Sequence, residues 1–267
     1  MLGTAVQAAV PSTVQLVALR HGDLAIEDAQ AVERTVGRER PDWIINCAAY
    51  TQVDRAEAEP EIAQRVNGGG SANLASAARQ TGARLLQIST DYVFDGRAAR
   101  PYREDDPVGP LNVYGRTKLA GEQAVRDILP QGHLIVRSQW LFGVGGPNFV
   151  ATILRLARER PELKVVNDQH GRPTYAPDLA VALWKLIACG AQGTVHCANE
   201  GVATWFDVAR AAIIAAGLRT PVVPCTTADM SRPARRPQFS VLDCTRYEGI
   251  VGSPLRPWQA ALKQLTS

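Results

Sequence analysis

Trp43-Ile44-Ile45-Asn46-Cys47-Ala48-Ala49-Tyr50-Thr51-Gln52-Val53-Asp54 passes from an apolar run into small and polar residues, and its reading decides the fold. Pro41 introduces a strand over 43–47, and the small residues beyond it let a ligand approach the backbone closely. In open α/β sheets, ligands bind past the C-terminal ends of the strands. Outward from this stretch the pattern repeats. A strand is predicted over 14–19 and a helix over 28–38. Pro60 starts a helical segment that runs to about residue 80 and is stopped by Gly82. Arg84-Leu85-Leu86-Gln87-Ile88 reads as the next strand, with Ser89-Thr90-Asp91 at its C-terminal end, and 133–137 reads as another. Such alternation predicts the α/β class: a Rossmann-like, doubly wound parallel sheet covered on both faces.

Leu111-Asn112-Val113-Tyr114-Gly115-Arg116-Thr117-Lys118 opens a helix with a tyrosine one turn ahead of a lysine. Residues four apart share a helix face. A lysine ammonium beside a phenol favours the phenolate and lowers its pKa toward neutrality, which suits proton donation. Taken alone, the spacing equally fits a solvated face, because lysine is mostly exposed.

Composition sets the bounds. Apolar residues make up 46% and charged residues 21% of 267, ordinary for a globular enzyme. A net charge of +3 without a dense basic run argues against a nucleic-acid partner. No apolar run approaches the ~18 residues of a membrane span. Five cysteines without C-x-x-C spacing point to reduced thiols, and the first residues lack the marks of a secretory signal. A cytoplasmic protein is expected.

Leu2, Ala5, Val6 and Ala9 have helical spacing from the start. Beyond residue 148 the rhythm loosens: helices are predicted near 148–159, 178–188 and 204–216, with short strands near 163–166 and 194–197. Prolines recur there, as in a smaller, loop-rich C-terminal cap. The expected division is a dinucleotide-binding domain over 1–147, N-terminally incomplete, and a mainly substrate-binding region over 148–267, with some segments returning to the sheet. Gly68-Gly69-Gly70 lies inside a helical pattern and is not read as a phosphate loop. Gly143-Val144-Gly145-Gly146 reads as a flexible loop over a cleft. Asp168 is expected to cap a turn, and no histidine is assigned to catalysis.

Four motifs stand in order: Asn46-Cys47-Ala48-Ala49-Tyr50-Thr51-x-Val53-Asp54, Ser89-Thr90-Asp91-Tyr92-Val93-Phe94-Asp95-Gly96, Pro110-Leu111-Asn112-Val113-Tyr114-Gly115-x-Thr117-Lys118 and Asn167-Asp168-Gln169-x-Gly171-x-Pro173-Thr174. Together with Ala234-Arg235-Arg236-Pro237, they make the chain resemble the dTDP-4-dehydrorhamnose reductases, which are extended short-chain dehydrogenase/reductases. The resemblance implies reduction of the C4 ketone of dTDP-4-dehydro-6-deoxy-L-mannose to dTDP-L-rhamnose. Tyr114 would protonate the C4 oxygen as hydride arrives. Lys118 would hold the nicotinamide ribose and lower the Tyr114 pKa. Thr90 would hydrogen-bond the substrate carbonyl, with Ser89 as runner-up because adjacent strand residues face opposite ways. Asp91, Tyr92, Trp140, Asn148 and Arg236 would line the substrate side. Trp140 as a core aromatic, and Arg235 with Arg236 as a solvated turn, remain the bland alternatives. The resemblance also leaves room for a reductase of another dTDP-4-keto-6-deoxyhexose, a non-catalytic regulatory subunit of the same fold, and a homodimer.

At the cofactor end, Gly3 matches only the third glycine of the expected G-x-x-G-x-x-G turn. The expectation is a start assigned too late, at an internal methionine, with a truncated, cofactor-poor protein as the alternative. Asp23 and Leu24 would face the adenine, and Ala48, Ala49 and Tyr50 would flank the dinucleotide. Arg20 stands where a ribose-binding acid is otherwise found, which favours NADPH, with NADH as the alternative.

Overall fold

The computed structural model describes residues 1–266. Helix α1 (Leu2–Ala8) leads into an extended segment and then α2 (Ala29–Glu39), which Asp28 caps by accepting the Ala31 amide at 3.0 Å. Strand β1 (Trp43–Asn46) is followed by the short helices α3 (Val53–Ala56) and α4 (Pro60–Gln64). A π-helical turn (Arg65–Gly69) then runs into α5 (Gly70–Thr81). Next come β2 (Arg84–Thr90), α6 (Val113–Ile128) and β3 (His133–Ser138). The C-terminal half begins with β4 (Leu141–Phe142), α7 (Phe149–Glu159), β5 (Leu163–Val166), β6 (His170–Gly171), β7 (Thr174–Tyr175) and α8 (Ala176–Ala188). It continues through β8 (Gly193–His196), β9 (Ala203–Thr204), α9 (Trp205–Ala215), β10 (Val222–Cys225), α10 (Thr245–Val251) and α11 (Trp258–Thr266).

The main sheet has the order β1-β2-β3-β8 with every pair parallel, so β8 returns from the C-terminal half to the sheet. Strand alternation sorts its side chains onto two faces. Leu86, Leu134, Val136 and Val195 pack with Leu2 and Val6 of α1 and Leu179, Leu183 and Leu186 of α8. Leu85 and Ile135 point the other way, against Val32 and Val36 of α2, Leu74 of α5 and Val125 of α6. Each such side chain, fully buried, contributes about 1.5–3 kcal/mol. The Trp184 indole fastens α8 to α1 by donating to the Val6 carbonyl at 3.0 Å.

Three sequence expectations need correction. Residues 14–19 form no strand. Their backbone finds no neighbouring strand among the described residues, and Val14, Leu16, Val17 and Leu19 stay 36–51% exposed. Alternating apolar residues become a strand only where a partner takes up their amides and carbonyls. The single helix expected over 60–80 is divided by the π-helical turn, within which Asn67 turns its side chain toward Tyr50 and Thr117. Finally, β2 continues through Ser89 and Thr90, while β1 stops before Cys47.

Candidate active site

The C-terminal ends of β1 and β2 and the first turns of α6 converge on one cleft. Asn112 caps α6, accepting the Gly115 amide at 2.8 Å, and its own amide donates to the Arg235 carbonyl at 2.7 Å. Gly115 is the residue that lets α6 approach the loop after β2: a Cβ there would overlap the Tyr92 carbonyl. One turn further along, Asn67 anchors the helix through Thr117 Oγ1 at 3.0 Å while it pairs with both backbone groups of Tyr50.

The Tyr114 hydroxyl faces the Thr90 side chain. Thr90 Oγ1 donates to Asp91 Oδ1 at 3.0 Å and accepts the Tyr92 amide at 3.2 Å. Ser89 lies on the opposite side of β2, buried beside Glu122. Strand alternation therefore gives the tyrosine to Thr90 and not to its neighbour. Burial pushes the Tyr114 phenol up to about 12, against the opposing influence of the Thr90 hydroxyl. Burial, not a neighbouring charge, is thus the dominant influence on the phenol. The Lys118 ammonium is buried and donates to the Ile88 carbonyl at 2.6 Å, and burial pulls it down to about 8 against the charges of Glu122 and Cys47. An ammonium carries three donors. With one given to Ile88, the others remain for a polyhydroxyl ligand.

Asp91 is also buried, which raises its carboxyl to about 7 despite hydrogen bonds from Ser240, at 2.5 Å to Oδ2, and from Thr90. Tyr92 meets Tyr114 edge-on, with ring centroids 5.8 Å apart and planes at 78°. Arg236 reaches over this pair. Its guanidinium grips Asp54 through Nη1 at 3.0 Å and Nη2 at 2.9 Å, and its charge acts on the Tyr92 phenol. Arg236 is thus bound within the fold and not turned out as a solvated cation.

Beneath Lys118, Glu122 and Arg137 form a fully buried fork-to-fork pair at 2.9 and 2.8 Å, and Arg126 adds a contact to Glu122 at 2.6 Å. Burial opposes the Glu122 charge, but the arginines outweigh it and hold the carboxyl below its usual range. The remaining residues singled out in the sequence are spread around this centre. Trp140 lies half-buried with a left-handed backbone (φ 49°), its ring stacked on Trp205 at 3.7 Å and 10°. Asn148 caps α7 and donates to the Gly143 and Gly146 carbonyls, closing the glycine loop. Asp168 holds the Thr227 amide and hydroxyl.

On the expected cofactor side, a Cβ on Gly3 would come within 3.6 Å of Cys47 Cβ, so α1 abuts the end of β1. The Ala48 amide donates to Asn46 Oδ1 at 3.0 Å, leaving Ala48 and Ala49 as a small-residue ledge. Tyr50 sends its hydroxyl to Glu59 at 2.6 Å. Asp23 accepts the Arg20 amide at the surface, and Leu24 packs into the core beside Val32. The structure does not bring Asp23 and Leu24 into contact with Tyr114 or Lys118.

Sequence reasoning missed four contributors: Glu122, Trp205, Ser240 and the Asp54 grip on Arg236. Glu122 had a signal, standing four residues after Lys118 on the same helix face. Trp205 and Ser240 are brought to the site by tertiary folding alone.

A family model described as RmlD substrate binding domain matches residues 1–267. A dTDP-4-dehydrorhamnose reductase of Streptomyces griseus is 48% identical over 255 residues, covering 93% of this chain and 84% of its own. A dTDP-4-keto-6-deoxy-D-glucose reductase of Streptomyces niveus is 43% identical over 252 residues, covering 93% and 87%. The crystal structure of a dTDP-4-dehydrorhamnose reductase from Bacillus anthracis in complex with NADP superposes with a TM-score of 0.95 at 38% identity, covering 99% of this chain and 94% of that one.

Proposed function

The chain belongs to the RmlD substrate binding domain family, and on that premise we propose that it reduces the C4 ketone of dTDP-4-dehydro-6-deoxy-L-mannose to dTDP-L-rhamnose with NADPH. The observation that carries this reading is the convergence of Thr90, Tyr114 and Lys118 at the sheet's C-terminal edge. It occurs in a chain 48% identical to a dTDP-4-dehydrorhamnose reductase. NADPH, when bound, supplies the hydride for C4. Tyr114, protonated throughout the neutral range, delivers its proton to the C4 oxygen. Thr90 is the second hydroxyl at that oxygen, supported by its place beside Tyr114 at the end of β2. Lys118 keeps its free donors for the ribose, and the Ala48–Ala49 ledge admits the dinucleotide, with Gly3, Tyr50, Asp23 and Leu24 as further contacts.

Asp91, Tyr92, Trp140, Asn148 and Arg236 serve the sugar nucleotide. In this reading residues 1–147 hold the dinucleotide and 148–267 mainly the substrate. Among the described residues no helix is long and apolar enough to cross a membrane. All five cysteines are free thiols, which supports a reducing, cytoplasmic setting.

The test is incubation of the purified chain with dTDP-4-dehydro-6-deoxy-L-mannose and NADPH, with the sugar product identified by NMR. One dTDP-L-rhamnose formed per NADPH consumed is expected. Turnover confined to a differently configured 4-keto sugar would overturn the substrate assignment.

A further inference from the structure

Register pairs Leu86 with Leu134, Ile88 with Val136 and Thr90 with Ser138 across β2 and β3. Paired residues of neighbouring strands share a face of the sheet, and every second residue of a strand returns to it. Leu86, Ile88, Leu134 and Val136 all pack in the cluster built with Leu2 and Val6 of α1. Thr90 and Ser138 therefore continue these two columns, as their first polar members. Gly3, the expected dinucleotide contact, lies on the same side, where α1 abuts Cys47 past the end of β1.

Ser138 is 2% exposed, and its Oγ has no hydrogen-bond partner among the described residues. Its column neighbours Leu134 and Val136 and, one strand over, Cys197 belong to the apolar cluster. Buried polar side chains in folded proteins are in the main partnered. A hydroxyl without a partner at the C-terminal end of a strand, where open sheets take their ligands, suits a bound group that both accepts and donates. Ser89 provides the contrast. It pairs in register with Arg137, whose guanidinium reaches Glu122 of α6, so it faces the other side of the sheet.

The chemistry at Thr90 says what the bound group is. Neighbouring strands lie about 4.8 Å apart, so Ser138 stands one strand from the hydroxyl proposed to meet the ketone. Hydride leaves a reduced nicotinamide from ring carbon C4, and the adjacent ring carbon carries the carboxamide. A ring that presents C4 to a ketone at Thr90 has its carboxamide within a strand spacing of that carbon. A carboxamide offers an acceptor oxygen and two N–H donors, and one hydroxyl can serve either.

We propose that Ser138 is a cofactor-binding residue: its hydroxyl takes the nicotinamide carboxamide and anchors the ring with C4 toward the ketone at Thr90. The inference rests on the reading of this cleft as an NADPH-dependent reductase site and gives β3 a share in holding the cofactor.

The experiment measures, by calorimetry, the affinity of each variant for NADP⁺ and for adenosine 2′,5′-bisphosphate, which lacks the nicotinamide, beside the melting temperature of the free protein. Ser138→Ala should weaken NADP⁺ binding about tenfold, the factor worth about 1.4 kcal/mol, and leave the bisphosphate affinity unchanged. Its melting temperature should not fall, because the hydroxyl removed makes no bond within the fold. Ser138→Thr keeps the hydroxyl and should keep the NADP⁺ affinity. Ser89→Ala makes the same deletion on the opposite face and should also leave it unaltered. Unchanged NADP⁺ affinity in Ser138→Ala, or an equal loss for both ligands, would overturn the proposal. A wild type that binds NADP⁺ without reducing the keto sugar would instead overturn the reductase reading and leave the Ser138 comparison readable; one that binds no NADP⁺ would overturn both.

Discussion

The Lys118 ammonium is tethered to β2, donating to the Ile88 carbonyl at 2.6 Å in a spot closed to solvent. A single backbone oxygen offsets only part of the cost of burying a charge, which is why burial draws its pKa from 10.5 to about 8. Between those two values the unfolded chain binds more protons than the folded one. Stability therefore rises as pH climbs from about 8 to 10.5 and is flat on either side. Lys118→Met should remove this rise. Urea denaturation of both proteins across that window checks it; parallel curves for the two would count against a buried, cationic Lys118.

Tyr114→Phe keeps the ring packed against Tyr92 and deletes only the acidic proton. Turnover should fall about 10²–10⁴-fold, the usual range for a lost general acid, with NADPH affinity preserved. Following NADPH absorbance and NADPH fluorescence quenching on the same preparation separates the two effects.

Gly115 carries α6 against the carbonyl of Tyr92, with Pro110 on the other side. Gly115→Ala should force the helix away and cost about 1–3 kcal/mol, as overpacking does. Because Tyr114 is its neighbour, kcat should fall as well. A shift in the urea midpoint accompanied by reduced turnover is expected, while Gly37→Ala, with open space around it, should leave turnover unaltered.

Glu122→Ala would strand Arg137, 2% exposed, without its carboxylate. Removal of one partner from a buried pair costs about 3–5 kcal/mol, so this variant should unfold at much lower urea than wild type. Glu122→Gln, which keeps the shape and one acceptor, should lose less.

Much of the sheet could be read in the sequence because β1, β2 and β3 are short apolar runs bounded by turn residues, and each carries its own signal. Tyr114 and Lys118 were equally legible, being tied by helical spacing. What the chain did not disclose were relationships without periodicity. Residues 14–19 have the alternation of a strand, yet pairing depends on a neighbour that no local pattern supplies. The environment of Tyr114 was hidden for a similar reason: spacing put Lys118 on the same face, but the depth of burial around the phenol and the Ile88 carbonyl that takes the ammonium belong to the folded chain. Arg236 could be singled out as a guanidinium near the substrate, while its partner Asp54, in a motif already read for other reasons, needed the folded chain to be seen.

The Trp140–Trp205 stack has an optical consequence. Two indoles at 3.7 Å and nearly parallel are coupled chromophores, and coupled indoles produce a paired circular-dichroism band that separated ones lack. One of the two, Trp140, is a residue proposed to meet the sugar nucleotide, and the other, Trp205, belongs to the part of the chain read as the substrate cap. The protein therefore contains its own label-free spectroscopic reporter: any ligand that slides the rings apart by even an ångström should change the sign pattern or amplitude of that band, with no dye, tag or turnover needed to see it.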